Sequence, residues 1–315
     1  MGTKRKRGGW TAKRLLYLDR VQAVISTLES YWPLTLRQIY YQLVAAGVID
    51  NRVAAYQKLS EVLTKARLDG LVPWETMEDR GRSTLQSGGW RDEGHFILTQ
   101  TNRYLTGYRR DLLQSQPVAL ELWIEKDALS RICHTIALPY CVPVIVARGF
   151  TSVSYVNECR KRVNAALARG KHEVRILYFG DFDPSGYEML PAMLETLQEE
   201  MHLGSAVSGR HYALTPQQAR TYDLPHNPDA LKETDSRAEK FVAQYGTVAY
   251  ELDALPPATL GTLVETAILE NLDKSLFESE RECEIEDVEH LEELHDDVHA
   301  FIRDRLANDT QREGR

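Results

Sequence analysis

Apolar residues at Tyr17, Val21, Val24, Ile25 and Leu28 recur every three or four positions in a charged background, the spacing of one buried helix face. Pro33 ends that stretch, and Thr35 stands where a cap is needed for a second one, "LRQIYYQLVAA", which stops at Gly47. "VAAYQKLSEVLTKARLD" keeps the helical spacing up to Gly70. The following "GLVPWETMEDRGR" loses it and reads as extended chain with a turn at Gly81. Three helices and a short hairpin is the order of a winged helix-turn-helix, whose third helix lies in the major groove. The same order fits an ordinary three-helix bundle with a solvated basic face. Residues 82–117 are loop-like over "STLQSGGWRDEG" and helical over "HFILTQTNRYLTGYRRDLL", which leads into Pro117.

From residue 118 the pattern changes. "VALELWIE", "VPVIVAR" and "EVRILYF" read as strands, followed in turn by the helices "KDALSRICHTIAL", "SVSYVNECRKRVNAALA" and "SGYEMLPAMLETLQEEM". Such alternation predicts βαβ units and a parallel sheet. "CEIEDVEHLEELHDDVHAFIRDRLA" predicts a last, acidic amphipathic helix covering the core, and no repeat or long low-complexity tract is visible. The expected fold class is α/β: an all-α, winged-helix candidate domain over 1–116, then a parallel sheet flanked by helices over 117–315.

Composition adds bounds. The 315 residues suggest two domains, and 43% apolar with 27% charged residues is ordinary for a soluble globular protein. No apolar run reaches the roughly 18–20 residues of a membrane span. The basic start "MGTKRKRGGW" has no apolar segment after it, so it reads as no signal peptide. Cys133, Cys141, Cys159 and Cys283 form no CxxC pair and fit reduced thiols in the cytoplasm. A net charge of −8 argues against nucleic acid as a partner, but its distribution reverses the picture. Residues 1–115 carry 18 Lys and Arg against 11 Asp and Glu, and residues 271–315 carry 6 against 15. A basic N-terminal part joined to an acidic remainder is expected where one domain touches phosphates. Arg52, Lys58, Lys65 and Arg67, on or just before the third helix, are the candidate DNA contacts.

Candidate chemistry sits at strand ends. Glu125 ends the first strand, while Asp181 and Asp183 follow the third in "LYFGDFDPSGYEM". Parallel sheets bind ligands at their carboxyl edge, and three carboxylates gathered there repel one another unless a cation sits between them. Oxygen-only ligands select Mg2+ or Mn2+, ions of phosphate chemistry. Each residue has a blander role. Asp183 before Pro184 reads as a helix N-cap, Asp181 as a turn former, and Glu125 as a surface partner of Lys126.

"WIEKDAL", "VARGFTS" and "GDFDPSG" together resemble a Toprim domain, in the form found in the topoisomerase VI A subunit and the meiotic double-strand-break transesterases. "ALTPQQARTYDLP", "TDSRAEKF" and "YELDALP" resemble the segments that follow there, and "LTLRQIYYQL" resembles that family's catalytic helix. The resemblance spans about residues 35–265. It implies that Tyr41 is a nucleophile attacking DNA phosphorus, with Arg37 one turn before it as helper and Tyr40 as structural neighbour. It also implies Glu125, Asp181 and Asp183 as metal ligands, Glu125 sharing in catalysis, and double-stranded DNA cut by a homodimer, with an ATPase on a separate chain. Two alternatives stay open: a Toprim nuclease that hydrolyses DNA with the metal alone, and a non-catalytic winged-helix DNA-binding protein.

Overall fold

The computed structural model describes residues 9–78, 89–147, 153–227, 231 and 238–313, the side chains of 308–313 excepted. By its internal contacts the chain divides into two compact units, residues 1–81 with 117–271, and residues 82–116 with 272–315. The N-terminal helices and the sheet are therefore parts of one unit.

Helix α1 (Ala12–Thr27) starts where the Thr11 hydroxyl accepts the Arg14 N–H, and it buries Leu18, Val21 and Ile25. Leu18 thus takes the core position that periodicity gave to Tyr17. Helix α2 (Leu36–Ala45) opens on a reciprocal cap between Thr35 and Gln38, which satisfies two otherwise unpaired N–H groups. Helix α3 (Val53–Leu68) ends before Gly70, whose φ of +74° suits glycine. The expected hairpin is not seen among the described residues. After α3 comes one tight turn, Trp74–Thr76, and a single parallel bridge between Leu34 and Met77. The turn predicted at Gly81 lies outside the described residues, so three helices in the predicted order are present but a wing is not shown.

The sheet is all-parallel, as predicted, in the order β2-β1-β3-β4. Strand β1 is Val118–Ile124, β2 Val144–Val146, β3 Glu173–Phe179 and β4 Val207–Ala213. The inner strands β1 and β3 are buried on both faces, so they read as near-continuous apolar runs. Strand β4, "VSGRHYA", was not expected. It lies at the sheet edge, where Ser208, Arg210 and His211 are tolerated and the apolar signature fades. On one face Trp123, Ile176 and Tyr178 pack with Val156, Cys159 and Val163 of α6 (Val153–Ala168) and with Met189, Leu190 and Met193 of α7 (Pro184–Glu195). On the other, α5 (Ser130–Ala137) packs on β1, and α10 (Pro257–Leu269) on α5 and β4. Each such buried side chain contributes roughly 1.5–3 kcal/mol. Two short helices, α8 (Pro216–Thr221) and α9 (Ala238–Tyr245), complete this unit. Of "VARGFTS", residues 148–152 lie outside the described residues, as do residues 234–237 of "TDSRAEKF".

In the second unit α4 (Glu93–Arg103) ends ten residues before the end of the stretch predicted as helix. Leu105 and Gly107 adopt φ of +59° and +77°, a left-handed turn that helical periodicity does not reveal. The acidic helix α11 (Lys274–Glu313) is longer than predicted. Arg110 holds it through Glu280 and Asp287, each at 2.7 Å. Among the described residues no helix is long and apolar enough to cross a membrane.

Candidate active site

Adjacent strands in register bring separate carboxylates together. Ile124 pairs with Phe179 at the carboxyl ends of β1 and β3, and the Glu125 N–H donates to the Phe179 carbonyl at 2.9 Å. Two residues beyond β3, the Asp181 N–H donates to Glu125 Oε2 at 3.0 Å, and the buried Tyr178 hydroxyl approaches the same oxygen at 3.4 Å. Asp181 Oδ1 accepts the Leu252 N–H at 2.9 Å, which draws the "YELDALP" segment onto the strand ends. Glu251 and Asp253 enter the group from that segment.

Two cations thread these acids. Lys126 forms an ion pair with Asp181 Oδ2 and lies 3.8 Å from Glu251 Oε2. It is therefore not the surface partner of Glu125 that sequence suggested. Arg37 pairs with Glu251, and its Nε is 3.1 Å from Asp253 Oδ2, within ion-pair reach but without hydrogen-bond alignment. Asn227 Nδ2 donates to Glu251 Oε1 at 2.7 Å. On α2 the Arg37 guanidinium lies 5.8 Å from the Tyr41 ring centroid, as a one-turn spacing requires. Tyr41 is only 4% exposed, and its hydroxyl lies close enough to the Glu251 carboxylate for the two to perturb each other. Tyr40, also buried, donates to Asn51 Oδ1 at 3.0 Å.

Burial decides the charge states. It pushes Asp181 well above the usual carboxylate range, Glu125 and Glu251 push the same way, and Lys126 opposes them. Glu125 is also raised, by burial first and further by Asp183, against the pull of Lys126. Burial pushes Asp253 up to about 6. Glu251 alone in this group is held below its ordinary value: burial raises it, and Arg37, Lys126 and the nearby Tyr41 hydroxyl outweigh that. Burial and Glu251 raise the Tyr41 phenol, and Arg37 offsets only part of that.

Asp183 does what the bland reading required: its Oδ1 accepts the Gly186 N–H at 2.7 Å and caps α7, with Pro184 at the first helical position. Among the described residues no three His, Cys, Asp or Glu side chains are gathered into a metal-binding group. Glu125 and Asp181 offer oxygen atoms, the donor type that hard divalent ions take. Lys126 and Arg37 lie against Asp181, Glu251 and Asp253, and burial is the first cause that raises Glu125, Asp181 and Asp253.

The candidate DNA contacts divide. Arg52 is exposed and loosely paired with Asp50 at 3.9 Å, and Lys58 is exposed with its amine 4.9 Å from the Tyr17 ring centroid. Lys65 is tied to Asp69 at 2.6 Å and lies over Trp10. Arg67 stacks 4.5 Å from the Trp74 ring centroid and donates to the Met77 carbonyl at 3.3 Å. Two cavities flank Arg37, one of about 530 Å3 reaching Arg67 and Asp127, the other of about 270 Å3 reaching Tyr41 and Arg52.

Sequence reading missed Lys126, Asn227, Glu251 and Asp253 as members of the site. The acid-x-acid spacing in "YELDALP" was a signal for the last two; for Asn227 there was none. Comparison with protein-family models, with curated proteins and with solved structures found no match to this chain.

Proposed function

We propose that this protein is a metal-dependent DNA-cleaving enzyme that breaks a strand by tyrosyl transesterification, with Tyr41 as nucleophile. One observation carries the reading: Tyr41, Arg37 and Glu251 adjoin the strand-end carboxylates Glu125 and Asp181 within one compact unit. Because its surroundings oppose ionisation of Tyr41 in advance, the phenol must lose its proton during attack. Glu251, held below the usual carboxylate range beside that phenol, acts as the general base. The Tyr41 oxygen bonds to phosphorus, the bond to the 3′ oxygen breaks, and that oxygen takes up a proton. Arg37 neutralises a non-bridging phosphate oxygen. Glu125, Asp181 and Asp183 would hold an Mg2+ or Mn2+ ion, which would supply further positive charge to the phosphoryl group. The substrate is double-stranded DNA, and a homodimer provides one such site for each strand.

A hydrolytic Toprim nuclease is the second reading, favoured by the burial of the Tyr41 hydroxyl. The two separate when cleavage reactions are stopped with denaturant. Transesterification predicts protein covalently attached to 5′ DNA ends, absent in Tyr41→Phe. Free 5′ phosphates, with cleavage retained in Tyr41→Phe and lost in Asp181→Asn, assign hydrolysis instead. Binding with neither product leaves the non-catalytic DNA-binding protein.

A further inference from the structure

The smaller cavity is lined by Tyr41, Arg37 and Glu251 of the proposed reaction and extends beyond them to Asn51, Arg52 and Tyr56. Its volume of about 270 Å3 falls just under the ~300–1,000 Å3 of ordinary ligand pockets, room enough for one flat base. Three tyrosines line it. Tyr40 contacts Tyr41 and Tyr56 edge to face, with ring centroids 5.1 and 5.2 Å apart and planes at 75° and 79°. In an edge-to-face pair one ring offers its edge and the other a face, so the pair leaves the edge-on ring's own faces uncovered by that neighbour. Tyr56 is the half-buried member, whereas Tyr40 and Tyr41 are buried. The amides of Asn51 and Asn227 line the same space, each a group that both donates and accepts. Two guanidiniums line it as well. Arg52 has a side chain 77% exposed and only a 3.9 Å pairing with Asp50, and Arg37 is 43% exposed.

We infer that this cavity is a subsite for one unstacked nucleobase of a DNA strand, stacked on Tyr56, with a flanking phosphate on Arg52. The inference rests on the DNA-cleaving reading and deepens it by naming the form of the substrate: a strand locally single or distorted beside Tyr41. A base within a strand carries a phosphate on each side, and two arginines line the cavity. A free nucleotide carries phosphate on one side only. Aromatic stacking supplies affinity without sequence preference, because every base has a π-face.

The test measures binding by the full-length protein in EDTA, so that cleavage plays no part. A twelve-nucleotide oligo(dT) is compared with an abasic strand of equal length, which keeps the phosphates and lacks the bases. Wild type is expected to favour oligo(dT) by roughly five- to a hundredfold, the range for stacking one base. Tyr56→Ala should lose that preference and Tyr56→Phe should keep it. Arg52→Ala, on an exposed side chain that does not disturb folding, should weaken both strands and lower the salt slope of binding by about one. Equal binding of the two strands by wild type, an undiminished preference in Tyr56→Ala, or competition by dTMP as effective as by oligo(dT), would each overturn the inference. Because no cleavage is scored, its failure is separate from failure to find a covalent DNA adduct.

Discussion

Asp253 is buried, neither of its carboxylate oxygens has a hydrogen-bond partner, and the Arg37 guanidinium lies 3.1 Å away. Its folded value of about 6 stands above the ordinary 3.8, so the folded chain holds this proton more tightly than the unfolded one. The stabilisation from that proton is fully present below about pH 4 and is lost as pH rises through about 6, a loss on the order of 3 kcal/mol. In metal-free protein, Asp253→Asn should therefore flatten the fall of unfolding free energy between pH 4 and 7, measured by urea denaturation. Parallel pH curves for the two proteins would refute the assignment. Gly186 gives a second prediction at this scale. A methyl group there would meet the Asp181 carbonyl oxygen at 2.5 Å and Glu125 Oε2 at 3.1 Å. The first contact is with backbone, so α7 must shift, and Gly186→Ala should lower stability by about 1–3 kcal/mol. The same shift should disturb the Glu125–Asp181 contact, seen as lost cleavage.

At the level of single elements, α7 separates two roles of one residue. Asp183 caps the helix through the Gly186 N–H and is also a proposed metal ligand. Asparagine caps as well as aspartate, whereas alanine costs about 1 kcal/mol. Asp183→Asn should keep the wild-type melting temperature and lose Mg2+-dependent cleavage; Asp183→Ala should lose both. Full cleavage in Asp183→Asn would reduce Asp183 to a cap. Elements with strong local signals were legible: β3 falls on "EVRILYF" as predicted, and α2 starts at its Thr35 cap. Strand β4 was not, because an edge strand buries only part of itself. The premature end of α4 depends on two positive φ angles that Thr106 and its neighbours do not announce.

For the whole molecule, residues 1–81 and 117–271 make one compact unit, although charge and motif suggested a division at residue 116. The contact is electrostatic as well as apolar, since Arg37 is a principal counter-charge of Glu251 and Asp253. Removing residues 1–81 should leave those two acids without it, and breaking one partner of a buried ion pair costs roughly 3–5 kcal/mol. The remaining chain should lose the near-ultraviolet circular dichroism of the buried Trp123. A fragment that kept this signal and melted as cooperatively as the full chain would show that the sheet stands alone.

The sequence alone determined what local physics controls. Apolar runs and helical periodicity placed β1, β3 and most helices, charge blocks separated a basic N-terminal part from an acidic end, and strand ends marked Glu125 and Asp181 as neighbours. The tertiary structure decided which charges meet. Glu251 and Asp253 lie some seventy residues beyond Asp181 and more than two hundred beyond Arg37, and no pattern along the chain encodes that approach. Only the parallel pairing of β1 with β3, and the Leu252 N–H held by Asp181, bring them onto one edge. The physical reason is that burial raises the cost of every unpaired charge, so the fold must supply each acid with a cation or leave it with its proton. Arg37 and Lys126 answer for part of that charge, and Asp253, pushed up to about 6, shows the part they leave.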